Sequence, residues 1–357
     1  MFANQLQSLS LDKVEWLMGY GDLQGLVSLK KVLPYADFVV KRVVGKKLPF
    51  QVSFSLTNRC NFRCVYCDIP LQKRDEMSTR EWMQVTDDFV AGGSRRFSLI
   101  GGEPMLRKDL GRIVRHIKGH DVHLAMNTNG WFITERFDEI KGIDAFCITL
   151  DGPRDLHDQQ RHKGSYDRAV EAIEALLAAG KVVVTMTVVR TDGHSNFEHV
   201  LDLAEHYGFK SFFQIEHHRS ADVDAPVGVG LTDDNIRELS KYLIQLKKAG
   251  RPVANSVSVS KALFDDGRYI GGPCFECHAG KYSAYVFSDG TVAPCLFTQR
   301  QQVQENGRLH GFLQAFEEMA PPVGKGCACV PSHELNQVLD FRVPALWNAL
   351  KIVQPGN

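Results

Sequence analysis

Six short β-rich runs alternate with amphipathic stretches between residues 51 and 218, and this alternation limits the chain to few folds. The strand candidates are QVSFSLT (51–57), RRFSLIGG (95–102), VHLAMNTNG (122–130), AFCITLDG (145–152), VVVTMTVVR (182–190) and SFFQIEHH (211–218). Between them, STREWMQVTDDFVAGG, LRKDLGRIVRHIKGH, SYDRAVEAIEALLAAG and SNFEHVLDLAEHYG carry apolar residues at helical spacing. Three of these end near glycine, as a helix C-cap does. Strands alternating with helices form right-handed βαβ units around a parallel sheet. Six units are too few for a closed eight-fold barrel, so the expected fold is α/β, an open partial (β/α)6 barrel. Active sites of such sheets lie at the C-terminal strand ends. The distinctive motifs fall there: NRC after the first run, then GGEP, NTNG, DG, Arg190 and EHH after the next five.

The flanks read differently. Residues 1–48 form a helical lead-in of mixed apolar and basic character, including a basic–apolar helix around Tyr35–Lys47. Residues 49–255 form the barrel. A smaller domain is expected over 265–335, where cysteines and glycines gather and Asp289-Gly290 separates two β-rich runs in YSAYVFSDGTVAPCLF, a hairpin signal. Residues 336–357 are read as a C-terminal tail. Lys plus Arg and Asp plus Glu both number 42, so charge gives no reason to expect nucleic acid or an anionic membrane. No apolar run is long enough for a transmembrane segment, and the N-terminus lacks a basic region followed by an apolar stretch. A cytoplasmic location is the expectation.

Nine cysteines occur, and eight fall in two tight groups. In a chain of 357 residues without an export signal, such clusters are better read as metal or cluster ligands than as disulfides. Cys147, alone in AFCITL, reads as a small buried hydrophobe. The first group is Cys60-x3-Cys64-x2-Cys67. Three thiolates on one loop can ligate three irons of a [4Fe–4S] cluster and leave the fourth iron open to a small molecule. A zinc site prefers a fourth ligand and a second paired unit, and none follows nearby.

With Tyr66 just before its last cysteine, and placed after the first strand, C-x3-C-x2-C resembles the signature of the radical S-adenosylmethionine (SAM) superfamily. The resemblance implies a TIM-like partial barrel in which SAM chelates the open iron and is reductively cleaved to methionine and a 5′-deoxyadenosyl radical. That radical abstracts a hydrogen atom from the substrate. By the same resemblance, Gly101, Gly102, Glu103 and Pro104 form the motif that receives the amino group of SAM. Glycines let a backbone approach a ligand closely, and a carboxylate accepts from an ammonium. Asn127 and Asn129, at the end of the third run, are candidates for ribose hydroxyls. The stretch from Asp151 through His157 and Arg161 to Tyr166 resembles that of superfamily members with auxiliary-cluster domains. Arg161 and Arg190 are candidates for the carboxylate of SAM or for the substrate, because guanidinium forks match carboxylates. Glu216 and His217 are candidates for acid–base work.

The second group is Cys274-x2-Cys277-x17-Cys295, then Cys327-x-Cys329. The segment from Cys277 to Phe297 resembles the opening of SPASM/twitch domains. Five cysteines are fewer than the full SPASM pattern carries, so one auxiliary [4Fe–4S] cluster is expected, with a structural zinc ribbon as the alternative. The resemblance further implies a flavodoxin- or ferredoxin-type reductant. A small molecule, such as a sugar or alcohol undergoing dehydrogenation, epimerisation or decarboxylation, is the expected substrate. The alternative is a ribosomally made peptide. A non-catalytic electron carrier or zinc module is the alternative of another class.

Overall fold

A computed structural model describes residues 38–190, 194–216, 232–264, 277–296, 305–320 and 329–353. Residues 1–47 and 48–357 form two compact units. In the first, the described part is helical over residues 38–43. The second holds the sheet and every element named below.

Six parallel strands lie in chain order across one sheet: β1 (Gln51–Ser55), β2 (Arg96–Ile100), β3 (His123–Thr128), β4 (Ala145–Thr149), β5 (Val182–Val189) and β6 (Lys210–Ile215). Each falls on a run read from sequence. The four anticipated helices are also present: α1 (Thr79–Ala91), α2 (Leu110–Lys118), α5 (Ser165–Ala178) and α6 (His194–Tyr207). Two further short helices join them, α3 (Phe137–Ile140) and α4 (Arg154–Gln160). Helix α1 starts where Ser78 and Glu81 form a reciprocal capping box.

Along each strand, alternate residues turn toward the helices. Phe54, Phe97, Leu124, Met126, Phe146 and Ile148 are almost fully buried there, with Trp82 of α1 packed 5.1 Å from the Phe54 ring. The opposite set, on the inner face, carries small side chains at one level, Ser53, Ser98, Ala125 and Ala145 at matched register, and larger ones, Met186 and Phe212, on β5 and β6. Cys147 lies on this inner face beside Asn127, where desolvation pushes its thiol up to about 12. A thiol so hard to ionise is inert, in keeping with a packing role.

The free edge of β6 is covered. Ser211 donates to Pro252 O, Ala254 donates to Ser211 O, and Asn255 bonds both backbone groups of Phe213. An edge paired in this way offers no template to another chain. Two helices flank this segment, α7 (Asp233–Lys248) and α8 (Val257–Phe264).

At the other edge the sheet continues. β7 (Ser283–Val286) pairs parallel with β1, and β8 (Thr291–Ala293) and β9 (Glu305–Asn306) follow antiparallel. The Asp289-Gly290 hairpin signal is realised between β7 and β8, with Gly290 at φ +89°. Among the described residues four more helices follow: α9 (Gly307–His310), α10 (Phe312–Glu318), α11 (Val330–Leu339) and α12 (Val343–Val353). Much of the segment read as a tail is therefore helical. Among the described residues, no helix is long and apolar enough to cross a membrane.

Candidate active site

Strand β1 delivers the first cysteine loop at its C-terminal end. Buried Arg107 braces this point, donating to Leu56 O at 3.2 Å and Met77 O at 3.1 Å while holding Asp109. Arg59 forms a two-bonded pair with Glu76 at 2.9 and 3.0 Å, and Thr57 also donates to Glu76. The loop is thus anchored before its first cysteine.

The two glycines of GGEP pack directly on that anchor. Gly102 donates to Thr57 O at 2.7 Å, and Glu103 donates to Arg59 O at 2.8 Å. A Cβ on Gly101 would stand 2.4 Å from Thr57 O, and one on Gly102 would stand 2.2 Å from Arg59 O. Only glycine permits two backbones to approach so closely. What these glycines approach is the cysteine loop itself, where the sequence had suggested a ligand.

Glu103 is fully buried. It accepts from Met105 N at 3.0 Å, Thr128 Oγ1 at 2.9 Å and Asn129 N at 2.8 Å. Burial pushes its carboxyl up to about 7, although these donors favour the ionised form. Asn129 reaches back to the cysteine loop, donating to Asn61 Oδ1 at 2.8 Å. The ends of β1, β2 and β3 are therefore bonded to one another through Asn61, Glu103 and Asn129. Pro104 starts a short 3-10 turn, and Asn127 is exposed on the inner face.

On the other side of the loop, Arg161 donates to Asp151 through Nε at 2.6 Å and Nη2 at 3.2 Å. Its Nη1 lies 3.8 Å from Cys64 Sγ, and its guanidinium sits 5.3 Å from the centre of the Tyr66 ring. Tyr66 donates its hydroxyl to Asp151 at 2.7 Å, and Val188 N donates to the same carboxylate at 2.9 Å. Burial alone would raise the Asp151 carboxyl, but the Arg161 charge and these bonds outweigh it and hold it below the ordinary carboxylate value. His157 accepts from Asp151 N at 3.1 Å. Burial, and then the nearby Arg161 charge, lower its pKa to about 4, so it is neutral. Sequence had offered the Arg161 fork to a substrate or to the carboxylate of SAM; in the fold its bonds go to Asp151, and its edge faces a cysteine sulfur.

Arg190 and Glu216, at the ends of β5 and β6, form an ion pair at 2.7 Å with Glu216 almost fully buried. His217 lies outside the described residues, as do Cys274 and Cys327. Cys277 is exposed, Cys295 partly buried and Cys329 buried, accepting from Ser332 Oγ at 3.1 Å. Cys329 caps α11, whose next residue, Val330, donates its N–H to Gln214 of β6 at 2.7 Å.

Sequence reading missed a group of three aromatic rings beside the loop. Phe62 lies 5.6 Å from Trp131 and 5.2 Å from His162, stacked on the latter, and Trp131 and His162 are 5.5 Å apart. Its one signal was the apolar residue between Cys60 and Cys64.

The donor set suits an iron–sulfur cluster. Burial pushes the Cys60 thiol up to about 11 and raises that of Cys64, where the Arg161 charge opposes the shift. Three thiol donors on one loop can hold three irons of a [4Fe–4S] cluster and leave the fourth open.

Comparison with known proteins agrees with this geometry. Residues 54–204 match the sequence model of the Radical SAM superfamily. A relative in Saccharolobus solfataricus named probable GTP 3′,8-cyclase is 30% identical over 265 residues, 69% of this chain and 82% of that protein. The chain belongs to the radical SAM superfamily. Its cofactors are accordingly a [4Fe–4S] cluster and S-adenosylmethionine, which together supply a 5′-deoxyadenosyl radical when bound. The mycofactocin maturase MftC of Mycobacterium tuberculosis is 33% identical over 172 residues, 46% of this chain but only 44% of that protein. In fold, the chain is similar to Streptococcus suis SuiB bound to its precursor peptide SuiA. The TM-score is 0.63 at 14% identity, covering 88% of this chain and 76% of SuiB.

Proposed function

We propose that this radical SAM enzyme modifies a ribosomally made peptide. The observation that carries the reading is the recurrence of maturation enzymes among its relatives over much of the chain. The sporulation killing factor maturation protein SkfB of Bacillus subtilis is 24% identical across 81% of this chain and 71% of its own length. MftC adds a shorter, closer match, and SuiB a peptide-bound protein of similar fold. This reverses the preference for a small metabolite drawn from sequence. The small-molecule reading stands second, favoured by the GTP cyclase relative.

In this reading the domains are the barrel at 49–255 and an auxiliary domain at 265–335. Cys277 and Cys295, with Cys274 and one or both of Cys327 and Cys329, hold one auxiliary [4Fe–4S] cluster. A flavodoxin- or ferredoxin-type protein supplies electrons. The exposed Asn127 is available to SAM, and the Arg190–Glu216 pair faces the substrate end of the barrel.

The test is reconstitution with iron and sulfide, followed by SAM, dithionite and a short peptide encoded beside this gene. A peptide changed in mass, together with 5′-deoxyadenosine, supports the reading. If sugars or alcohols stimulate 5′-deoxyadenosine formation and peptides do not, the second reading replaces it. Close to eight irons per chain is expected with the auxiliary cluster, and close to four without it.

A further inference from the structure

Away from the cysteine loop, two histidines and an aspartate converge on the outer layer of helices. His116 lies in the last turn of α2, and His120 follows one helical turn later. Residues four apart share a helix face, and the turn persists because His120 N donates to Ile117 O. Asp87 comes from α1. Its Oδ1 lies 2.8 Å from His116 Nε2 and 2.9 Å from His120 Nε2, so both rings point at one oxygen. The rings are nearly perpendicular, with centroids 5.5 Å apart. All three donor atoms fall within 4.8 Å of one another, and all three residues are partly open to solvent.

We propose that Asp87, His116 and His120 bind a divalent transition metal, zinc foremost. Two imidazole nitrogens and one carboxylate oxygen form a donor set for zinc, with a fourth position left for water. Ligands at about 2.0–2.2 Å around a tetrahedral ion lie roughly 3.3 Å apart. The Nε2–Oδ1 separations therefore need to open by only a few tenths of an ångström, within side-chain adjustment. Both helices run antiparallel to the strands, so their last turns lie at the N-terminal face of the barrel. In barrels of this kind that face serves stability and not chemistry. The ion thus ties α1 to α2 and stands apart from the radical centre.

Holoenzyme with its clusters loaded, so that iron occupies the cysteines, is equilibrated with micromolar zinc sulfate and passed through gel filtration. Zinc per chain is then counted by elemental analysis. Wild type is expected to retain one equivalent that His116→Ala/His120→Ala does not. Each single variant should bind zinc on the order of tenfold or more weakly, since removing a direct ligand costs at least as much as removing its supporting partner. Zinc should raise the melting temperature of wild type and not of the double variant. Iron content and 5′-deoxyadenosine yield should match between them. Equal zinc in both proteins overturns the proposal, as does a wild type that retains none. Should the alanine variant fail to fold, Asp87→Asn, which keeps shape and removes charge, must lose zinc instead.

Discussion

Arg161 and Asp151 form a salt bridge with 5% and 0% of their side chains exposed, and the same guanidinium reaches Cys64 Sγ at 3.8 Å. One buried cation is thereby shared between a carboxylate and a cysteine sulfur.

Removing that cation leaves Asp151 charged, buried and unpaired. Arg161→Met should destabilise the protein by about 3–5 kcal/mol, as breaking buried pairs does. Arg161→Lys keeps the charge but not the fork and should cost less. Hydrogen bonds to cluster sulfurs tune the reduction potential. Both variants should therefore lower the potential of the first cluster, read by redox titration with electron paramagnetic resonance; an unchanged potential would separate Arg161 from cluster tuning.

Each of Cys60→Ala, Cys64→Ala and Cys67→Ala should abolish 5′-deoxyadenosine formation and cost roughly four irons per chain. Cofactor cleavage surviving any one of these changes removes the basis of the site.

Gly102→Ala would press a methyl group to 2.2 Å from Arg59 O, backbone against backbone. The cysteine loop must shift, at a cost of about 1–3 kcal/mol, with a fall in iron retained and SAM bound. Gly142→Ala is the control, since its Cβ would meet neighbours at an ordinary 3.4 Å. Chemical denaturation and iron analysis of both variants decide the matter.

His157 is held neutral with its pKa lowered to about 4, against an ordinary value near 6.5. A lowered histidine supplies stability above its unfolded value, and that stability is lost as pH falls toward its folded value. The full span amounts to about 3 kcal/mol for one proton. His157→Asn keeps an acceptor for Asp151 N on a side chain that does not titrate. Its unfolding free energy should fall less steeply than that of wild type between pH 6.5 and 5. Parallel curves would show that His157 does not bind the proton.

The barrel was legible because its signals are local. VVVTMTVV and SFFQI became β5 and most of β6 because β-branched and aromatic runs, bounded by turn formers, have few alternatives. The loop of Cys60, Cys64 and Cys67 and the GGEP turn follow β1 and β2, at the strand ends where the alternating pattern put them. What stayed hidden depends on distant partners. Nothing near Arg107 in sequence indicates that it braces β1, and nothing near Arg161 indicates that Asp151 and Cys64 share it. Phe62, Trp131 and His162 meet only after three separate strands are aligned. Sequence offered Glu103 to the amino group of SAM, yet its three donors are Met105, Thr128 at the end of β3 and Asn129 just after it.

The strand that carries the cysteine loop is sandwiched between β2, its near neighbour in the chain, and β7, which is made far later. During synthesis the nascent polypeptide must therefore wait with one flank of that strand bare, a flank able to pair with other unfinished chains. Metal loading on the ribosome would precede completion of its own scaffold. Truncating the chain before Ser283 should consequently yield insoluble protein even though Cys60, Cys64 and Cys67 are all present.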